Sequence, residues 1–317
     1  MLSLSFANGD RISALGLGTW KSPAGVVQAA VAEALAMGYR HIDCAPIYQN
    51  EPEVGQAIAE ALDAGLVARG DLWLTSKLWN NAHAPERVRP ALEKTLAHLH
   101  TDYLDLFLIH WPVAFAPGTL FARKKEEFIP LADQPIIETW QAMEACVAAG
   151  LVRHIGVCNF SVAKLDALCA QATIRPEMMQ IELHPYLQQQ ATLDFCKQNN
   201  ILVTAFSPLG SGDRPAAMKK AGEPTLLDNP VILQAAAKHG ATPAQILLAW
   251  GLARQTVVIP KSVNPERLRQ NLGATKVRLD DQDMTAIAAL DRGYRLVDGS
   301  FLTGAESPYT LAAIWDE

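Results

Sequence analysis

Paired cysteines, a membrane-length apolar run and a basic surplus are all missing from this chain, and each absence closes off a class of protein. The five cysteines, Cys44, Cys146, Cys158, Cys169 and Cys196, are scattered and odd in number. No two form a C-x-x-C pair, so neither a disulfide framework nor a thiol redox motif is indicated. They read as reduced core thiols. No stretch approaches the ~20 apolar residues that cross a bilayer. The opening "MLSLSFANGDRISALGLGTW" lacks the basic n-region and apolar h-region of a secretory signal. The expectation is a soluble, cytoplasmic protein with no membrane partner. A formal charge of −6 gives no electrostatic reason for a nucleic-acid partner either. Linkers and low-complexity tracts are also absent, so the 317 residues read as one domain, 1–317. Half of them are hydrophobic and 19% are charged, enough to bury a large core.

What is present is alternation. "LSLSFANGDRIS" reads as two short strands joined at Asn8-Gly9, a strong hairpin signal. Then come eight strand-like runs: "ALGLG", "RHID", "LWLTSK", "DLFLIH", "HIGV", "MMQIEL", "ILVTAF" and "VVIP". Helical patterns lie between them, such as "VVQAAVAEALAMG" closed by Gly38 and "PERVRPALEKTLAHL" opened by Pro85. Irregular stretches run from Trp111 to about Gln134, from Pro208 to Pro230, and from about Arg292 onward. Alternation of this kind implies parallel strands with helical crossovers. Eight units over this length favour a (β/α)8 barrel, here with an N-terminal hairpin and a C-terminal extra helix and loop.

In such a barrel, chemistry sits where strands end and run into the following helices. Strand two ends at Asp43, strand three at Lys77 and strand four at His110, 34 and 33 residues apart. Three successive strands thus carry an acid, a base and an imidazole to one rim, with Tyr48 in the adjoining loop. A single such residue is ordinarily a cap or a snorkelling lysine; four at one rim are a site. Free tyrosine titrates near 10, and an ammonium beside it is expected to lower that value. Asp43 would pair Lys77, since an unpaired buried ammonium is costly. His110 would orient a carbonyl oxygen, and Tyr48 would protonate it. His41 is expected to be structural and turned away from Asp43's neighbours. No serine or thiol is placed beside a base for covalent catalysis.

A proton donor alone reduces nothing, so a hydride source is needed. "VVIPKSVNPERLRQN" supplies a candidate at strand eight: Lys261 and Ser262 end the strand, Asn264-Pro265 cap a helix, and Arg267 lies in its first turn. A helix start flanked by Lys and Arg suits a single phosphate such as the 2′-phosphate of NADP. The G-x-G-x-x-G fingerprint is missing, because "GLGTWK" has Lys21 at its third glycine position.

On "GYRHIDCAPIYQNEPEVG", "LVRHIGVCNFSVAKLDAL" and "VVIPKSVNPERLRQNL", with "DYLDLFLIHWP" and "MMQIELHPY" in the same order, the chain resembles the aldo-keto reductases over nearly its whole length. The resemblance implies a (β/α)8 barrel that binds NADPH in extended form and reduces aldehydes, ketones or open-chain sugars. It implies Tyr48 as general acid, Lys77 and Asp43 as its partners, and His110 as the orienting residue. Cofactor contacts implied the same way are Asn159 and Gln180 on the carboxamide, with Thr19 and Trp20 near the ring and Phe206 stacked on it. Ser207, Leu209, Ser211 and Asp213 would fold over the pyrophosphate. Lys261, Ser262, Asn264 and Arg267 would hold the 2′-phosphate, with Gln270 and Asn271 near the adenine and Asp43 and Val263 as further cofactor contacts. Phe206 stands where the family usually has tyrosine, and Cys158 where it commonly has serine. Trp20, Trp79 and Trp111 would wall the substrate pocket beside Tyr48 and His110. A monomer suffices and no metal is expected. Two other readings stay open: a cofactor-binding regulatory subunit without turnover, and a metal-dependent hydrolase using His41, Asp43, His110 and His184.

Overall fold

The computed structural model describes residues 2–219 and 222–317. Among them, eight strands build one parallel sheet. They are β1 (Leu17–Gly18), β2 (His41–Asp43), β3 (Trp73–Leu78), β4 (Leu104–Ile109), β5 (Val152–Cys158), β6 (Met178–Glu182), β7 (Leu202–Phe206) and β8 (Val257–Val258), each paired with the next in sequence. The sheet curls into a ring. Parallel bridges join Leu15 to Val258 and Gly18 to Lys261, and Val258 N–H donates to Ala14 O at 2.8 Å across the same seam. The expected (β/α)8 barrel is the observed one.

Helices α1 (Val27–Met37), α2 (Glu51–Asp63), α3 (Pro85–His98), α4 (Ile136–Ala148), α5 (Val162–Cys169) and α6 (Gln190–Gln198) fill the first six crossovers. Two helices, α7 (Pro230–His239) and α8 (Pro243–Ala253), lie between β7 and β8; α9 (Pro265–Gly273) and α10 (Asp281–Ala288) follow. Their ends obey local chemistry. Gly38 closes α1 at φ 101°, and Asn264 caps α9 by accepting from Arg267 N–H at 3.0 Å. The strands β2, β3, β4 and β6 are buried throughout, as two-sided coverage by helices requires. Leu35, Val54, Leu92, Trp140, Leu165 and Trp250 carry the helix side of the core. Buried Glu51 opens α2 and accepts from Ser76 Oγ at 2.6 Å, tying the outer face of β3 to that helix.

The hairpin pairs Ser3–Ser5 with Arg11–Ser13 and covers the barrel end where strands begin. Phe6 stacks on Trp73 at 5.0 Å and on His154 at 4.1 Å. Its turn takes in Ala7 as well as Asn8-Gly9, because Phe6 N–H already pairs with Asp10 O at 2.8 Å, and Gly9 supplies the left-handed φ of 92°.

Two stretches expected to be irregular hold structure. Ala114–Phe115 pairs with Phe128–Ile129 inside the long loop after β4, and the tail ends in a short helix, α11 (Leu311–Trp315). These pieces are too short for a periodic signal. They form a second apolar cluster over the opposite barrel mouth, joining Trp79, Trp111, Phe115 and Phe128 to Leu296, Val297, Tyr309 and Trp315. No helix among the described residues is long and apolar enough to cross a membrane.

Candidate active site

Backbone register brings the polar strand ends together. Asp43 ends β2, Lys77 is the penultimate residue of β3, and His110 follows β4 directly. Lys77 Nζ donates to Asp43 Oδ1 at 2.6 Å and to Cys44 O at 2.9 Å, and reaches Tyr48 Oη at 3.5 Å. Tyr48 ends a short 3₁₀ turn opened by Pro46, which lifts the phenol over the barrel mouth. Its ring meets His110 edge-on at 6.0 Å, and Trp79 flanks His110 at 5.1 Å. The expected quartet is one contiguous group.

Its electrostatics correct one expectation. Burial disfavours charge on Lys77, but Asp43 outweighs it and holds the ammonium above its ordinary range. Burial also pushes the Tyr48 phenol up; Lys77 pulls it down, and Asp43 opposes that pull. The net direction is upward, so Lys77 does not bring the phenol below its ordinary value. At neutral pH Tyr48 keeps its proton, the form a proton donor needs. Burial first, then Lys77 and His83, hold His110 well below the ordinary histidine range, leaving a neutral ring.

His41 is a second correction. Residues two apart on a strand share a face, so His41 lies on the Asp43 side, within 3.3 Å of Thr75 Oγ1. A Cβ on Gly16 would meet its ring at 2.5 Å; only glycine leaves room there. His41 fills the barrel interior beneath the group.

Asp43, Tyr48 and His110 line a cavity of about 630 Å³, while Lys77 lies buried off its lining. Gln180 Nε2 donates to Asp43 Oδ2 at 2.7 Å. Asn159 Nδ2 donates to His110 O at 3.0 Å, while its buried Oδ1 has no partner among the described residues. The Cys158 sulfur lies 3.1 Å from Asn159 Nδ2 and 3.8 Å from Gln180 Oε1, and burial raises its pKa. Trp20, Phe206, Ser207, Leu209, Ser211, Asp213, Lys261, Ser262, Val263 and Arg267 all line the space. Lys21, Asn159, Ser207 and Ser211 take left-handed φ values of 63°, 60°, 49° and 47°. Non-glycine residues hold such values only when their surroundings fix them, commonly at functional sites.

Four expected contacts lie off the lining. Thr19 is buried, donating from Oγ1 to Asp43 O at 2.8 Å; Asn264 caps α9; Gln270 bonds Glu266 at 3.2 Å; Asn271 is buried within α9. Other residues line the cavity without having been singled out: Ile47, Phe121, Met218, Leu227, Val297 and Phe301. All but Ile47 come from the irregular stretches, which carry no periodic signal. Lys21 joins a bridge in which Asp213 binds both it and, at 3.3 Å, Lys261. Buried Arg214 pins the loop after β7 through the carbonyls of Gly210 and Ser211, 3.3 and 3.1 Å away. Among the described residues no three His, Cys, Asp or Glu side chains are placed to hold a metal ion.

Known proteins match this arrangement. The model of the aldo/keto reductase family matches residues 14–292. An aldo/keto reductase of Synechocystis sp. is 56% identical over 311 residues, 98% of this chain and 95% of the relative. Aldo-keto reductase family 1 member A1 of Homo sapiens is 46% identical over 291 residues, 91% of this chain and 89% of its own. The solved aldose reductase of Schistosoma japonicum superposes with a TM-score of 0.85 at 36% identity, covering 99% of this chain and 96% of that one. The chain therefore belongs to the aldo/keto reductase family, oxidoreductases that act on small carbonyl compounds.

Proposed function

We propose that this protein reduces aldehydes and ketones to alcohols with NADPH, and that Tyr48 donates the proton. The observation that carries the reading is the buried chain Asp43–Lys77–Tyr48, with spacings of 2.6 and 3.5 Å, at the floor of an aromatic cavity. The nicotinamide cofactor, when bound, supplies the hydride that adds to the carbonyl carbon. Everything else falls to the protein. His110 and Tyr48 hold the carbonyl oxygen; as charge develops on it, the phenolic O–H bond breaks and the proton passes to oxygen. Lys77 stabilises the phenolate left behind, and Asp43 keeps Lys77 charged.

The chain offers groups suited to the cofactor. The unpartnered Asn159 Oδ1 is a buried acceptor awaiting a donor, and a carboxamide N–H fits it. Gln180 lies beside it, and Phe206 offers a ring face for stacking. Lys261 and Arg267 at the start of α9 suit a phosphate, which favours NADPH over NADH. Thr19, Asn264, Gln270 and Asn271 remain assigned to cofactor binding, from behind the lining. Trp20, Trp79 and Trp111 wall the substrate end and suit apolar or aromatic aldehydes. Every group comes from one chain, so a monomer is complete, and five buried, unpaired cysteines accord with a reducing cytoplasm.

The test is Tyr48→Phe. NADPH binding, followed by quenching of protein fluorescence, should persist while aldehyde-dependent NADPH oxidation is lost. Loss of both in a folded variant would count against the assigned role. NADPH binding by the unaltered protein without turnover of any aldehyde would favour a regulatory subunit instead.

A further inference from the structure

The tail after α10 walls the cavity with Val297 and Phe301, yet no strand or α-helix steadies this part of it. Its position is set by a buried carboxylate. Glu182, the last residue of β6, accepts from Leu296 N–H with Oε1 at 2.6 Å and from Val297 N–H with Oε2 at 2.7 Å. His184 Nε2 lies 2.7 Å from the same Oε1. Glu182 and His184 are both buried. A carboxylate is costly to bury unless its lone pairs are met, and here three groups converge on it. The tail is fixed again at its far end. Lys164 Nζ donates to Ala313 O and Asp316, each at 2.7 Å, and Trp315 Nε1 donates to Asp298 O at 2.8 Å. Between the anchors, Phe301 meets Trp111 edge-on at 5.5 Å, and a Cβ on Gly299 would lie 3.2 Å from the Trp111 ring.

We propose that Glu182 is a positioning residue for substrate choice: its carboxylate clamps Leu296 and Val297 and so fixes the wall that faces Trp111. The proposal rests on the reading of the cavity as a carbonyl-reducing site. Asp43, Lys77 and His110 stand at strand ends and Tyr48 on the turn after β2, and none of their hydrogen bonds runs to the clamp. A short aliphatic aldehyde would need only them, whereas an aromatic aldehyde also packs against the tail. Replacing Glu182 by glutamine keeps the size but turns an NH2 group toward one backbone N–H, so one tail bond is lost and two donors oppose each other.

The experiment compares the unaltered protein with Glu182→Gln, using propanal and 4-nitrobenzaldehyde as substrates and backbone hydrogen exchange as a second readout. In the variant, kcat/KM for the aromatic aldehyde should fall roughly tenfold or more, mainly through KM, and exchange at Leu296 and Val297 should rise by a similar factor. Propanal turnover and NADPH affinity should stay within about twofold. Equal losses for both aldehydes, or unchanged exchange at the two amides, would overturn the proposal. If Glu182→Gln does not fold, Leu296→Pro removes one donor from the tail side and must produce the same selective loss. Failure of the unaltered protein to reduce either aldehyde would sink the reductase reading and the role in substrate choice together. Exchange in the variant would still report separately on whether the clamp exists.

Discussion

The two ends of this barrel each carry paired charge, and they use it differently. At the mouth where strands end, Asp43 and Lys77 are paired at 2.6 Å beneath a phenol. At the hairpin end, His154 sits between Asp10 at 2.9 Å and Glu177 at 3.0 Å, while Arg153 spans Asp10 at 2.6 Å and Asp105 at 3.3 Å. The upper pair leaves one neighbour, Tyr48, with its hydroxyl facing the cavity. In the lower group every charge meets another, Asp105 pairing Arg69 as well at 2.9 Å, and the group staples the hairpin to β5. What separates the two is the unspent group: the upper pair sits against a hydroxyl that lines a cavity, whereas the members of the lower one are spent on each other.

That contrast can be broken from either end. The largest effect is expected for Tyr48→Phe, which should lower turnover by about 10²–10⁴-fold while thermal unfolding hardly moves, because only a hydroxyl is removed. A large drop in melting temperature would show that the mouth, too, is a fastening. Lys77→Met is the mixed case. It should lose most activity and also destabilise the fold by roughly 3–5 kcal/mol, since Asp43 is left buried without its partner; denaturant titration beside steady-state rates separates the two losses. Third, Lys261→Ala or Arg267→Ala should weaken NADPH binding by about 10–100-fold, the value of a charge-assisted contact, and NADH far less. Equal losses for both dinucleotides, measured by fluorescence titration, would remove the phosphate assignment.

The smallest effect belongs to the lower end. His154→Asn should cost roughly 1–3 kcal/mol and leave turnover at 25 °C unchanged. Its pH dependence carries a definite sign. Burial alone would lower the pKa of His154, but Glu177 and Asp10 outweigh it and the value rises. The contribution is therefore complete below the unfolded value of about 6.5 and fades as pH rises through the folded one. Burial tends to raise Asp10, but His154 and its other partners bring it down. Its contribution is present above about pH 4 and fades as pH falls through its lowered value. The stability gap between the unaltered protein and His154→Asn should thus be widest between about pH 4 and 6.5. Urea midpoints that differ by a constant amount up to pH 9 would show that His154 holds no charge in the fold.

Sequence made the mouth legible because its residues obey a period. Asp43, Lys77 and His110 recur at one strand–helix–strand interval, and the barrel follows from the same repeat. Tyr48 could be placed beside them, but the direction of its pKa could not, because burial raises it and its surroundings, Trp20 and His110 among them, come from other segments of the chain. His41 shares a strand face with Asp43 by simple parity, and its packing against Gly16 and Thr75 is tertiary. The Glu182 clamp joins residues 114 positions apart without any repeating pattern, and the Lys21–Asp213–Lys261 bridge joins three segments that meet only in three dimensions. Such contacts are tertiary in origin, and a single sequence carries no periodic trace of them.

The seam between β1 and β8 has a consequence for how the molecule comes into being. Its bridges, Leu15 to Val258 and Gly18 to Lys261, link the beginning of the barrel to a segment made some two hundred and forty residues later. Contacts of such long sequence separation carry the greatest loop-closure cost, which puts ring closure late in folding. Lys261 reaches its place beside Asp213 and Lys21 only when that closure happens. A chain still emerging from synthesis would hold Asp43, Lys77 and Tyr48 well before the Lys21–Asp213–Lys261 bridge could form, so the last strand to join the barrel is also the one that completes this side of the cavity.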